Sequence, residues 1–159
     1  MKKKDLLIIG NILSRLIKQN INKIELKFLL VYNYYCIQNE YETLIILLDK
    51  KIQDVYKIAV RDFFKKRKEI DYIKISRIKK ERILQQYESE LYNKYNLVNQ
   101  DKNLNKLLNN ILMEDVECTD NFINFKKIKL SYFSDTTTST QDLLDLLHYN
   151  ILELDNKNY

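Results

Sequence analysis

The chain is almost devoid of residues that bend or break a backbone. Its 159 residues include one glycine, Gly10, one alanine, Ala59, and no proline, where average usage gives about 11 glycines and about 8 prolines. Collagen-like and Gly/Pro-rich, loop-built architectures are excluded. A P-loop or dinucleotide-binding turn cannot be built in the usual way either, because both need several glycines to bring backbone N–H groups against a phosphate.

Thiols and imidazoles are equally scarce. Cys36 and Cys118 lie far apart with no CxxC pair, and His148, the single histidine, cannot complete a zinc site with them. The expectation is the cytoplasm or another reducing interior compartment, an organelle interior included, with no metal or other cofactor. Met1 to Lys4 followed by Leu6 to Ile9 resembles the start of a secretory signal, but Gly10, Asn11 and Arg15 interrupt it and no A-x-A site follows, so the chain is expected not to be secreted. The longest uncharged run, Phe28 to Asn39, has 12 residues against the ~20 that cross a bilayer, and no membrane partner is expected. Catalysis has little to draw on. Asp145 is the carboxylate nearest His148 on a helix, and nothing else points to a triad. Glu114, Asp115, Glu117 and Asp120 lack the alternating ligands and turn glycine of a calcium loop. A non-enzyme is expected.

What is present in quantity is lysine. There are 27 Lys and Arg, 22 of them Lys, against 22 Asp and Glu. The wealth of Ile, Asn, Tyr and Lys with little Gly, Ala or Pro is what the codons of an AT-rich genome supply, so only a local concentration of charge carries weight. One exists: Lys50 to Arg82 holds 13 basic against 5 acidic residues, for +8, and the remainder of the chain sums to −3. Cutting at residue 100 gives +9 before and −4 after, which predicts a basic helical domain over 1–100 and an acidic extension over 101–159.

Apolar spacing predicts a mainly α fold with a minor β element. Leu6, Ile9, Leu13, Leu16 and Ile17 mark a helix over about 5–19. Lys23 to Gln38 reads as a mostly buried helix with Ile24, Phe28, Val31 and Tyr35 on one face. Glu42 to Asp49 is ambiguous between helix and strand, and Ile52, Val55, Tyr56, Ala59, Phe63 and Phe64 keep helical period through Lys66, with Lys57, Arg61, Lys65 and Lys68 on a neighbouring face. Residues 69–76 alternate and predict a short strand or hairpin arm. A long helix follows from Ser76 to about Asn96, seamed by Leu84, Tyr87, Leu91 and Tyr95. Its start carries Lys79, Lys80 and Arg82, against the helix macrodipole, so another interaction must favour them there. A polar bridge over 96–103 leads to a helix through Leu104, Leu107, Leu108, Ile111 and Leu112. Strand character is expected over 122–133. Ser139 and Asp142 form a capping signal for a last helix carrying Leu144, Leu147, Ile151 and Leu154 at heptad spacing.

From Lys23 to Ile75 the order of a long helix, a short apolar segment, a brief turn, the helix DVYKIAVRDFFKKRK and the alternating EIDYIKI resembles a winged helix-turn-helix DNA-binding domain. Leu48, Ile52, Ala59, Phe63 and Ile70 fall near the hydrophobic positions such domains use; the small turn residue and the wing glycine are absent. The resemblance implies that the second helix enters the major groove and the wing, near 69–76, meets phosphates. Lys57 and Arg61 would then reach base edges or phosphates, and Lys65, Lys66, Arg67, Lys68 and Lys74 would neutralise backbone charge, with Lys79 and Lys80 beside them. Lysine rather than arginine implies point-charge phosphate contacts, steep salt dependence and modest sequence discrimination.

The function expected is therefore non-catalytic nucleic-acid binding, DNA before RNA, with Leu144, Leu147, Ile151 and Leu154 mediating self- or partner association. The alternative is a helical structural or assembly subunit, of a virus particle or organelle complex, whose apolar seams bind protein.

Overall fold

With so few residues to interrupt it, the chain runs in long helices. The computed structural model, described over residues 1–117 and 124–156, contains α1 (Lys3–Ile17), α2 (Ile24–Asp71), α3 (Arg77–Lys94), α4 (Leu97–Met113), β1 (Ile128–Lys129), a 3-10 turn (Leu130–Phe133), α5 (Thr140–His148) and β2 (Leu152–Glu153). The fold is mainly α with a minor β element. No helix among the described residues is long and apolar enough to cross a membrane. Two compact units form, one from Met1–Ile45 with Leu112–Tyr159 and one from Ile46–Ile111. The division predicted at residue 100 is replaced by these boundaries, since α4 is bonded to α2 through Tyr56 and Asp101 and belongs with the helices before it. The second unit holds 16 basic and 9 acidic residues, +7, and the first holds 11 and 13, −2.

In the first unit α1 buries Leu6, Ile9, Ile12, Leu13 and Leu16, the stripe its spacing predicts. In the first part of α2 the buried face is Leu26, Leu30, Asn33, Ile37, Tyr41 and Leu44, a run of three- and four-residue steps. The face predicted to be inside is outside: Ile24, Phe28, Val31 and Tyr35 are exposed. Both stripes satisfy helical period, and the one centred on Leu26, Leu30 and Ile37 faces the core. Asn33, fully buried, grips the Lys126 peptide unit from both sides, donating from Nδ2 to its carbonyl at 2.8 Å and accepting its N–H at 2.7 Å. That clamp places the chain for β1, which pairs in parallel with β2, Ile128 opposite Leu152.

The strand expected over 122–133 is thus confined to Ile128–Lys129; Leu130 to Phe133 turn into a 3-10 helix, and residues 122–123 lie outside those described. The predicted heptad of the last helix is also cut short. Asn150 takes a left-handed conformation, φ 63°, and the N–H groups of Asn150 and Ile151 donate back to Leu147 and Leu146, the bond pair of a Schellman cap. Ile151 is therefore off the helix and fully buried, while Leu144, Leu147 and Leu154 stay exposed. At the start of the chain, Lys2 bridges to Asp115 in antiparallel fashion, with Lys3 N–H donating to the Glu114 carbonyl and Val116 N–H to that of Met1, both at 2.9 Å.

In the second unit α2 passes through 46–53 unbroken. The turn that the winged-helix resemblance needs is absent, because DKKIQD contains no residue that ends a helix. The wing is absent as well: residues 69–71 are helix and 72–76 an irregular turn. Ile70, buried like Ala59 three turns earlier on the same face of α2, keeps the helical period, and burial of that side chain overrides the local alternation. Ser76 caps α3, its hydroxyl accepting from Lys79 N–H. The seam of α3 falls where predicted, with Leu91 buried and Leu84, Tyr87 and Tyr95 half-buried. The polar bridge over 96–103 is not a loop: Tyr95 and Asn96 turn the chain, Asn96 at φ 50°, and α4 starts at Leu97.

Candidate nucleic-acid interface

On α2, steps of four, four and three residues put Lys57, Arg61, Lys65 and Lys68 along one face. All four are exposed, and among the described residues none of them enters an ion pair. Lys50, two turns earlier on the same face, extends the ridge; it belongs to the basic segment yet is not among the sites predicted. Asp54 shares the face and Glu69 borders it, neither within ion-pair distance of the ridge. Lys57 with Arg61 and Arg61 with Lys65 are like-charge pairs at i and i+4, an arrangement that costs a helix about 0.2–0.5 kcal/mol per pair.

The other predicted cations are dispersed. Lys66 lies on the opposite side of α2, its Nζ 5.6 Å from the centre of the Tyr87 ring. Arg67 occupies a third face, exposed, and Lys74 is exposed in the turn between α2 and α3. Lys79 is exposed at the start of α3. Lys80 donates from Nζ to the Asp71 carbonyl at 3.1 Å, satisfying a carbonyl left open at the end of α2. This explains one of the lysines that oppose the α3 dipole. Arg77 pairs with Glu81 one turn on, at 3.3 Å.

Two tyrosine–carboxylate bonds hold the unit's helices together. Tyr56 on α2 donates to Asp101 on α4, and Tyr95 donates to Asp62, whose carboxylate also lies 3.9 Å from Lys94 Nζ. The Asp101 bond and then burial push the Tyr56 phenol up to about 12. The Asp62 bond raises that of Tyr95, and hydrogen bonding to Tyr95 is the main cause that raises Lys94. Both aspartates are thereby occupied away from the ridge.

Beside the ridge the surface is apolar. Val60 and Phe64 follow Lys57 and Arg61 by three residues each, and are 46 % and 52 % exposed. They line, with Tyr56, Ala59, Phe63, Leu91, Tyr92 and Leu97 and a single charged group, Glu88, an open cavity of about 290 Å³. A second open groove, of about 640 Å³, is lined by Ile52, Gln53, Asp54, Lys57 and Arg61 together with Tyr56 and Val60 of the first cavity, so two ridge cations, with Asp54 among them, adjoin the apolar wall. Phe64, grouped with Phe63 by helical period, is offset from the buried Ala59 and Ile70 on the helical wheel and faces outward.

The remaining candidates are used structurally. His148 is exposed, its ring 4.9 Å from that of Tyr149, and Asp145 accepts from Gln141 at 3.0 Å. Glu114 and Asp115 pair with Lys3 at 2.5 Å and Lys2 at 2.9 Å, and the Lys2 contact lowers the Asp115 carboxyl; Asp120 lies outside the described residues. Cys36 is half-buried, its thiol pushed up by burial, and Cys118 also lies outside them. Among the described residues no three His, Cys, Asp or Glu side chains converge as metal ligands would. Comparison with protein-family models, with curated proteins and with solved structures gives no match to the chain.

Proposed function

We propose that this is a non-catalytic nucleic-acid-binding protein that grips phosphates with the α2 ridge. The observation that carries the reading is the row Lys57, Arg61, Lys65 and Lys68: four exposed cations on successive turns, none of them in an ion pair among the described residues. The +7 of the second unit beside the −2 of the first supports the same assignment, since a polyanion is drawn to one part of the chain. Binding takes place along the side of one continuous helix, in place of a recognition helix presented by a turn. Compact ammonium groups on flexible stems give affinity without much base discrimination. The test is fluorescence anisotropy with a labelled oligonucleotide at low salt, comparing the protein with a Lys57→Glu/Arg61→Glu variant. Binding that drops at least about tenfold in the variant is expected; no binding by either protein ends the proposal.

A second reading, an assembly subunit that binds protein, is favoured by the exposed row Ile24, Phe28, Val31 and Tyr35, an apolar stripe of the kind that marks an interaction surface. Leu144, Leu147 and Leu154, exposed at the other end of the chain, add to it; Ile151 is withdrawn. Light scattering after size exclusion, on the protein and on Phe28→Asp and Leu147→Asp variants, tests this reading: a mass of one chain throughout counts against self-association.

A further inference from the structure

We infer that the second unit binds nucleic acid as a single strand, with one unstacked base inserted in the cavity between α2 and α3. The inference rests on the phosphate-binding role proposed for the ridge and names the form of nucleic acid it takes. Phe64 has Arg61 and Lys68 as its neighbours at i−3 and i+4, and Val60 has Lys57 at i−3, so each apolar group at the mouth is adjacent to a cation on the helix surface. The cavity's volume, about 290 Å³, lies just below the about 300–1,000 Å³ usual for ligand sites, a size suited to one flat ring system. Its walls are mainly aromatic and aliphatic, and Phe64 and Tyr92, 52 % and 42 % exposed, leave aromatic surface open to an entering base. Stacking on such faces tolerates any base. Glu88, the single charged group of the lining, only accepts hydrogen bonds when ionised, which suits the amino group of cytosine, adenine or guanine. In a duplex the bases are paired and stacked, and their faces cannot reach a pocket set beside the phosphate ridge.

The experiment compares anisotropy titrations of a deoxycytidine dodecamer and of a duplex of the same length, in the same buffer. The single strand is expected to bind at least about tenfold more tightly, and Phe64→Ala to weaken it by about tenfold while leaving the duplex unchanged. Because the chain has no tryptophan, a Phe64→Trp variant supplies a sole reporter, whose emission is expected to be quenched by the single strand and not by the duplex. Circular dichroism on each variant establishes that it is folded, as exposed positions allow. Equal affinity for both forms, with Phe64→Ala silent and Lys57→Glu/Arg61→Glu disruptive, overturns base insertion and leaves the ridge standing. Absence of binding to either form overturns both.

Discussion

The ring of Tyr41 fills the space that a Cβ on residue 10 would need. A methyl built on Gly10 overlaps the Cγ, Cδ2 and Cε2 atoms of that ring, and the hydroxyl of the same tyrosine donates to Asn11 Oδ1 at 2.7 Å. Gly10 sits inside α1, where alanine is ordinarily better by roughly 0.5–1 kcal/mol. Here the sign reverses. Overpacking of this kind costs about 1–3 kcal/mol, so Gly10→Ala is expected to lower the urea midpoint despite its higher helix propensity. Pairing it with Tyr41→Leu should recover part of the loss, because the clash then has no ring. A Gly10→Ala protein more stable than the parent contradicts the close approach.

Asn33 gives the second prediction. Its amide satisfies both the N–H and the carbonyl of Lys126 from a fully buried position. Asn33→Leu keeps the branched shape, though not the smaller volume, and removes both bonds, leaving two backbone groups with no partner at a net cost of about 2–4 kcal/mol. Chemical denaturation measures the loss. Hydrogen exchange locates it, with faster exchange expected at Lys126 and Ile128 than in α3.

Period and spacing made the helices legible because one side of each must be buried, and Leu6, Ile9, Leu13 and Leu16 announce that side unambiguously. They did not show which of two apolar stripes on α2 faces inward. Ile24, Phe28, Val31 and Tyr35 satisfy the same period as Leu26, Leu30 and Ile37, and the choice is made by what the rest of the unit presents. Ending a helix was harder to read than starting one. Ser76 and Ser139 signal their caps through a side-chain oxygen three residues before the N–H it accepts, whereas Asn96 and Asn150 end helices by a backbone conformation that most asparagines of this Asn-rich chain do not adopt. At the candidate site the four ridge cations were legible, since i, i+4 arithmetic is local. The cavity was not, because Phe64 and Tyr92 meet only in the tertiary structure.

The ridge also makes a prediction about salt. Each phosphate neutralised on a single strand lowers the slope of log affinity against log salt by about 0.7, and on duplex DNA by about 0.9. Four ridge cations on four phosphates give a slope near −3. Removing one charge with Lys65→Gln is expected to make it shallower by about 0.7–0.9, whereas Lys66→Gln, whose ammonium faces Tyr87, leaves the slope alone. Equal changes for the two variants would mean that charge acts through the net total of the unit and not through the ridge.

Alkaline pH tests the tyrosine–carboxylate bonds. Tyr56 donates to Asp101, and Tyr149 donates to Asp5 at 2.8 Å. Each phenol is pushed up to about 12, Tyr56 mainly by its carboxylate partner and Tyr149 mainly by burial. In the unfolded chain a phenol titrates near pH 10. Between pH 10 and about 12 the unfolded state therefore holds fewer protons than the folded one, and ionisation draws the equilibrium toward unfolding. The stabilisation is complete below pH 10 and is lost as pH rises to about 12. The urea midpoint is expected to fall across that window, with phenolate absorbance showing a late-titrating fraction in the folded protein. Tyr149→Phe removes one of these protons, so its midpoint should fall less steeply over the same range than that of the parent. A midpoint with the same alkaline slope in Tyr56→Phe, Tyr149→Phe and the parent would show that neither phenol is held protonated by the fold.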